Sequence, residues 1–379
     1  MTRYAPLAVT LALLAGAGVA LADPPNLRTL PIGAAAPDFK LPGVDGREYA
    51  LKDFADARIL VIVFTCNHCP TAQAYEDRII RLHADYKDEG VALVAISPND
   101  PKAVRLDELG YTDLSDSFEE MKLRAKEKKF AFPYLYDGDT QKTALAYGAL
   151  ATPHVFIFDR ERRLRYTGRI DDSEVKEVKS HDTRNAIDAL LADQPVRVER
   201  TRVFGCSIKW ADKQEDAKKS LEKWDREPVA LEPLDEAGVA KLAKNEGDKL
   251  LLVNVWASWC GPCVQELPEF VTMNRMYRHR SFRLVTLSMD EPEKKDAALK
   301  ILREKHVAAE NYIVTIKDRD KFADLLDKDW TGPLPHTLLI APGGKVLYRK
   351  TGAIDALALK RAIVAYLGRT YAVKKPARE

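Results

Sequence analysis

Cysteine is scarce in this chain: four of its five residues sit in two Cys-x-x-Cys pairs, Cys66/Cys69 and Cys260/Cys263, and Cys206 stands alone. A disulfide-stapled scaffold is thereby excluded, and pairs this close in sequence close too short a loop to be kept for stability. An excess of charge is missing too. With 59 basic against 57 acidic residues, the balance argues against nucleic acid or an anionic surface as partner. Neither cysteine pair has a second local pair of ligand residues, so no zinc or copper site is expected, although His68 lies between Cys66 and Cys69.

Long apolar runs are absent beyond the N-terminus. There, Arg3 precedes an apolar run from Ala5 to Val19 and the small-x-small stretch Ala20-Leu21-Ala22. This predicts a signal peptide over residues 1–22, cleaved before Asp23, and a periplasmic or otherwise exported protein, with an uncleaved anchor as the competing reading. The run falls short of the roughly 20 residues of a membrane span, so no integral membrane segment is expected once the signal is removed. No cysteine stands at the cleavage point for lipid attachment.

Residues 23–379 exceed what one hydrophobic core organises, and the chain repeats itself. "ARILVIVFTCNHC" and "DKLLLVNVWASWCGPC" each run an apolar stretch into a cysteine pair, the pattern of a strand buried on both faces. A helical segment follows each, over 71–87 and 264–277, and then a second strand, "VALVAIS" at 91–97 and "FRLVTLS" at 282–288. Farther on come "ATPHVFIFD" and "PLPHTLLIA", each with a strand containing a histidine (His154, His336), then "LRYTG" and "YRKTG". Closing helices begin at Asp182 and Asp355, residues suited to capping free N–H groups. The reading is α/β, two tandem folds, each a mixed sheet flanked by helices: one over 23–194, one over 235–379. Residues 195–234 are expected to form a charged linker with a short solvated helix. An insert at 101–132 carries a polar helix from Ser115 or Ser117 and has no evident role.

A cysteine pair between a buried strand and a helix places sulfur over N–H groups that lack intrahelical partners, which favours the thiolate. Such a pair cycles between dithiol and disulfide through a mixed disulfide with another protein, without a bound cofactor. By this reasoning Cys66 and Cys260 attack, and Cys69 and Cys263 resolve. Pro70 fits the first helical turn, where its missing N–H costs nothing.

"WASWCGPC" resembles the thioredoxin active site, and "WCGPCVQELPEF" with "LPHTLLIAPGGKVLYRKTG" resembles the TlpA/ResA group of exported thiol-disulfide oxidoreductases. The first half, with "FTCNHCP" and "GCSIKW", resembles redoxin or AhpC/TSA-type thioredoxin-like proteins. The resemblance implies two thioredoxin-like folds and redox disulfides Cys66–Cys69 and Cys260–Cys263. It implies supporting roles for Trp259, Gly261 and Pro262, and cis prolines at Pro335 and, by the repeat, Pro153. Asn254 replaces the buried Asp of cytoplasmic thioredoxin, which leaves Glu266, three residues after Cys263, as the group expected to tune the pair. The peroxidatic motif of peroxiredoxins wants Pro and Thr seven and three residues before the cysteine; here those positions hold Ile59 and Val63.

His68 beside Cys66 is expected to stabilise a thiolate and make the first pair the more oxidising one. Potentials across thioredoxin-fold enzymes span about 150 mV, enough for a relay from Cys260/Cys263 to Cys66/Cys69. Cys206, without a partner in sequence, reads first as a buried small hydrophobe, with a free thiol or a third redox participant as the alternatives, and His154 and His336 read as strand residues. The expected partners are protein thiols and disulfides and a membrane or periplasmic thiol electron donor. A peroxiredoxin-like peroxidase and a non-enzymatic metal-binding or interaction module stay open as alternatives.

Overall fold

The computed structural model describes residues 27–174 and 177–371; the expected signal peptide lies outside the described residues. Two mixed sheets organise the chain. In the first the strand order is Tyr134–Tyr136, Val91–Ser97, Ile59–Phe64, His154–Phe158, Leu164–Gly168. In the second it is Glu232–Leu234, Glu310–Val314, Phe282–Ser288, Leu250–Trp256, His336–Ile340, Val346–Thr351. In both, the central strand pairs in parallel with one neighbour and antiparallel with the strand that begins at a histidine.

The apolar runs sit at the centre because both their faces are covered. Ile59, Val61 and Val63 face a core that includes Tyr75, Ile79 and Leu82 of helix Pro70–Tyr86, while Leu60, Ile62 and Phe64 face Phe39, Tyr147 and Trp210. Leu251, Val253 and Val255 pack with Val239 and Leu302; Leu250 and Leu252 pack with Phe270 and Ile363. Each such side chain, fully buried, contributes about 1.5–3 kcal/mol relative to exposure. Asp355 caps its helix by accepting from the Ala358 N–H at 3.0 Å. Asp182 does not cap: it lies inside helix Asp182–Leu191 and pairs with Arg169 at 2.6 Å instead.

Residues 195–234 are not a free connector. Cys206–Ser207 pairs with Ala151–Thr152, Ile208 and Trp210 enter the first core, and Glu232–Leu234 is an edge strand of the second sheet. The helix between, Gln214–Asp225, buries Ala217 and Trp224 beneath an otherwise charged face.

The insert at 101–132 joins the units. Val104 and Leu109 are buried in the second unit's core beside Met273 and Met276. Asp113, 1% exposed, receives Arg369 and Arg361 of the second unit and Arg124 of its own. Tyr277 donates its hydroxyl to Thr112 O at 3.1 Å. The insert's helix is Phe118–Lys128, with Ser117 accepting from Glu120 N.

Candidate functional site

In the second unit, strand Leu250–Trp256 delivers Cys260 to the N-cap of helix Gly261–Tyr277. Its Sγ accepts the Cys263 N–H at 3.3 Å, and a disulfide joins the two residues. Cys260 is 7% exposed and Cys263 fully buried, so an incoming group meets Cys260 first. Trp259 stands out to solvent at 69% exposure. Together with Gly261, Pro262, Met289, Trp330 and Leu334 it lines a cavity of about 610 Å³ that opens on Cys260. Leu334–Pro335 is a cis bond, as is Thr152–Pro153 in the first unit.

Behind the disulfide, Asn254 donates through Nδ2 to Glu266 Oε1 at 3.0 Å and to Thr337 Oγ1 at 3.3 Å, and the Ile354 N–H reaches Glu266 Oε2 at 3.1 Å. Burial pushes the Glu266 carboxyl up, and these donors pull it only partly back. Asn254 Oδ1 is buried without a partner. His336, stacked on Trp330, lies between Thr351 and Asp327, and burial lowers its pKa. His154 lies in the first sheet's core with its pKa lowered by burial to about 3, so it stays neutral. Both are strand residues.

The first unit differs from its copy in register. Phe64 pairs with His154 as Val255 pairs with His336, and from there strand and helix run without a gap: Ile59, Phe64 and Tyr86 stand where Leu250, Val255 and Tyr277 stand. On that register the counterpart of Cys260 is Cys69, not Cys66; Cys66 falls opposite Ala257, and Ala72 opposite Cys263. Cys69 is accordingly the N-cap of helix Pro70–Tyr86, with its Sγ accepting from Ala72 N at 3.4 Å. Pro70 takes the first helical position as expected.

Both cysteines are free and buried. Burial raises the Cys69 thiol, but hydrogen bonds from Cys206 and Cys66, the His68 charge and the Ala72 N–H hold it well below the usual range. When protonated it donates to Thr152 O at 3.3 Å. Cys66, 3.1 Å from Thr152 Oγ1, is pushed up by burial, by its hydrogen bond with Cys69 and by the Asp116 charge. The backbone N–H groups that follow Cys66 do not point to its sulfur: Asn67 N and His68 N both donate to Asp116 Oδ1, at 2.8 and 3.1 Å.

Asp116 comes from the insert and is fully buried. Its Oδ2 lies 2.5 Å from His68 Nδ1 and accepts from Asn99 at 2.7 Å. Burial opposes a charge on His68, yet the Asp116 carboxylate outweighs it and raises the imidazole; the donors around Asp116 keep its carboxyl low. A charge on His68 lowers the Cys69 thiol, whereas burial, Cys69 and Asp116 dominate at Cys66. Nor is Cys206 a fully buried hydrophobe: it is part-exposed and packs against Cys66 and Cys69. Among the described residues one trio of possible metal ligands gathers, Cys66, His68 and Asp116, with donor atoms within 4.8 Å of one another. His68 Nδ1 and Asp116 already satisfy each other there.

Residues 32–167 and 229–349 each match the model of the AhpC/TSA family. Curated relatives named thiol-disulfide oxidoreductase ResA include that of Oceanobacillus iheyensis, 28% identical over 124 residues (32% of this chain, 59% of the relative), and that of Bacillus subtilis, 30% over 106 residues (28% and 55%). The chain thus spans a little over half the length of these relatives. Among solved structures, a hypothetical protein from Sinorhizobium meliloti is 35% identical, covering 48% of this chain and 97% of its own, with a TM-score of 0.44. An uncharacterized conserved protein from Geobacillus kaustophilus is 41% identical, covering 48% and 92%, with a TM-score of 0.43.

Proposed function

The chain belongs to the AhpC/TSA family, and from that premise we propose that it is an exported thiol-disulfide oxidoreductase whose exchange with protein substrates runs through Cys260 and Cys263. The observation that carries this reading is the disulfide at a helix N-terminus, with the first sulfur facing an open, Trp-lined cavity and the second buried behind it. In the reduced pair, Cys260 is the thiolate that the helix N-terminus favours. It attacks a substrate disulfide and forms a mixed disulfide, and Cys263 then attacks Cys260 and frees the substrate thiolate. Glu266, tied to Asn254, acts as a positioning and proton-accepting group one helical turn beyond Cys263.

The partners that fit this chemistry are exported protein disulfides and a thiol donor at or near the membrane, with residues 1–22 removed on export. Among the described residues no helix is long and apolar enough to cross a membrane. A relay of electrons from Cys260/Cys263 to Cys66/Cys69 extends this reading; reduction potentials of the two pairs test it, and a lower value for the first pair would overturn it.

Insulin-disulfide reduction and hydrogen-peroxide consumption, measured on the wild type and on each paired Cys→Ser variant, test the reading. Insulin reduction should vanish in Cys260→Ser and Cys263→Ser. Peroxide turnover that depends on Cys66 or Cys69, with insulin left untouched by the wild type, would replace it with a peroxidase.

A further inference from the structure

The first unit holds three sulfurs, and they differ in reach. Cys66 and Cys69 are 2% and 0% exposed, whereas Cys206 is part-exposed on the two-residue strand Cys206–Ser207, its sulfur 3.8 Å from the hydroxyl of the exposed Tyr371. That strand is docked tightly. Cys206 pairs with Thr152, whose Oγ1 and carbonyl touch the Cys66 and Cys69 sulfurs. Gly205, at φ +150°, lets the backbones approach: a Cβ there would stand 2.1 Å from Thr152 O. In the second unit the matching backbone, Pro333–Leu334, is paired with no strand among the described residues and opens with Cys260 on the cavity. One copy of the fold leaves this edge open beside its cysteine; the other fills it with its own chain and puts a third cysteine there.

We propose that Cys206 is the entry thiol of the N-terminal centre, the sulfur through which low-molecular-weight disulfides and thiols exchange with the buried Cys66/Cys69 pair. The proposal rests on the thiol-exchange reading above and extends it to a second substrate class. Cys206 gives its proton to water and attacks an external disulfide RSSR, forming Cys206–S–SR and releasing RS⁻, which takes up a proton as RSH. Cys69, as its thiolate, attacks the Cys206 sulfur; the Cys69–Cys206 bond forms and the second RS⁻ leaves. Cys66 then attacks Cys69, its proton passes to the departing Cys206, and Cys66–Cys69 closes. Two protein sulfurs lose two electrons in all, and RSSR gains them as RSH and RS⁻.

The reduced full-length chain is exposed to oxidised glutathione, acid-quenched and peptide-mapped. Cys69→Ser should accumulate glutathione on Cys206, and Cys66→Ser should accumulate the Cys69–Cys206 bond. Cys206→Ser and Cys206→Ala should slow closure of Cys66–Cys69 by at least about tenfold, because the accessible attacking thiol is gone. Closure of Cys260–Cys263, read in the same spectra, reports on folding and reagent. Closure of Cys66–Cys69 at the wild-type rate in both Cys206 variants, or glutathione on Cys66 instead of Cys206 in Cys69→Ser, overturns the proposal. Failure of Cys260–Cys263 to exchange as well would instead bring down the broader thiol-exchange reading.

Discussion

Replacing Asp116 by Asn tests the buried pair in the first unit, and its effect should depend on pH in a direction that the structure fixes. Asp116 accepts from Asn67 N, His68 N, Asn99 Nδ2 and His68 Nδ1, all inside the protein. An Asn side chain keeps an oxygen for the two backbone N–H groups but loses the charge, at a cost of about 1.5–3 kcal/mol, the range for a hydrogen bond to a charged group. Ala leaves every donor unpaired beside a buried cation and should cost about 3–5 kcal/mol. The two ionisations set the window. Asp116 is depressed, so its contribution is present above the ordinary carboxylate range and is lost as pH falls through its folded value. His68 is raised, so its contribution is complete below about 6.5 and is lost as pH rises through its folded value. The Asn variant's deficit should therefore be largest near pH 5–6 and shrink under alkaline conditions. Hydrogen exchange of peptides covering Ile59–Phe64, corrected for intrinsic rates, reads the opening of this unit alone. A deficit that stays constant from acid to alkaline pH would mean that His68 carries no charge, and the argument for its action on Cys69 would fail with it. Thiolate absorbance gives a second readout: the Cys69 transition should move to higher pH in Asp116→Asn.

Glu266→Gln should remove one ionisation from the pH profile of insulin reduction, and an unchanged profile would assign Glu266 a purely structural part. Because burial raises this carboxyl, the wild type loses stability as Glu266 ionises above the ordinary glutamate range, so Gln should gain on the wild type as pH rises. The orphaned Asn254 Oδ1, after a side-chain flip, is placed to accept from the new amide. Asp113→Asn should loosen the docking of the two units by about 3–5 kcal/mol, since Arg361 and Arg369 of the second unit converge on this buried acid; small-angle scattering should show a larger radius of gyration, and an unaltered profile would refute the assignment. Gly205→Ala should displace strand Cys206–Ser207, because the new Cβ meets Thr152 O at 2.1 Å, and speed alkylation of Cys66 and Cys69; unchanged protection of both would show that the strand is not their cover.

The central strands were legible in the sequence because an apolar run buried on both faces has no other use, and Val91–Ser97, Phe282–Ser288 and Leu164–Gly168 fall where their letters place them. The pairing of the two centres was misread for an instructive reason. A Cys-x-x-Cys motif draws the eye to align first cysteine with first cysteine, whereas the strands and helices on either side align Cys69 with Cys260. Counting from Ile59 and Leu250 would have shown it. Asp116 had no such signal: it stands between Ser115 and Ser117, where a polar helix was expected to begin, and only the folding of the insert brings it to His68. Cys206 lies on a strand of two residues, too short to announce itself by alternation, in a stretch whose charge suggested a linker.

The insert has a consequence for any attempt to study the halves apart. Asp113, clasped by arginines of the second unit, and Asp116, clasped to His68, are three positions apart on one short segment. A severed first half would keep Asp116 but leave Asp113 facing water with only Arg124 of its original clasp, on the very segment that holds the imidazole in place. A reduction potential taken from such a fragment would describe a different molecule, so each pair has to be titrated within the intact chain with the other pair silenced.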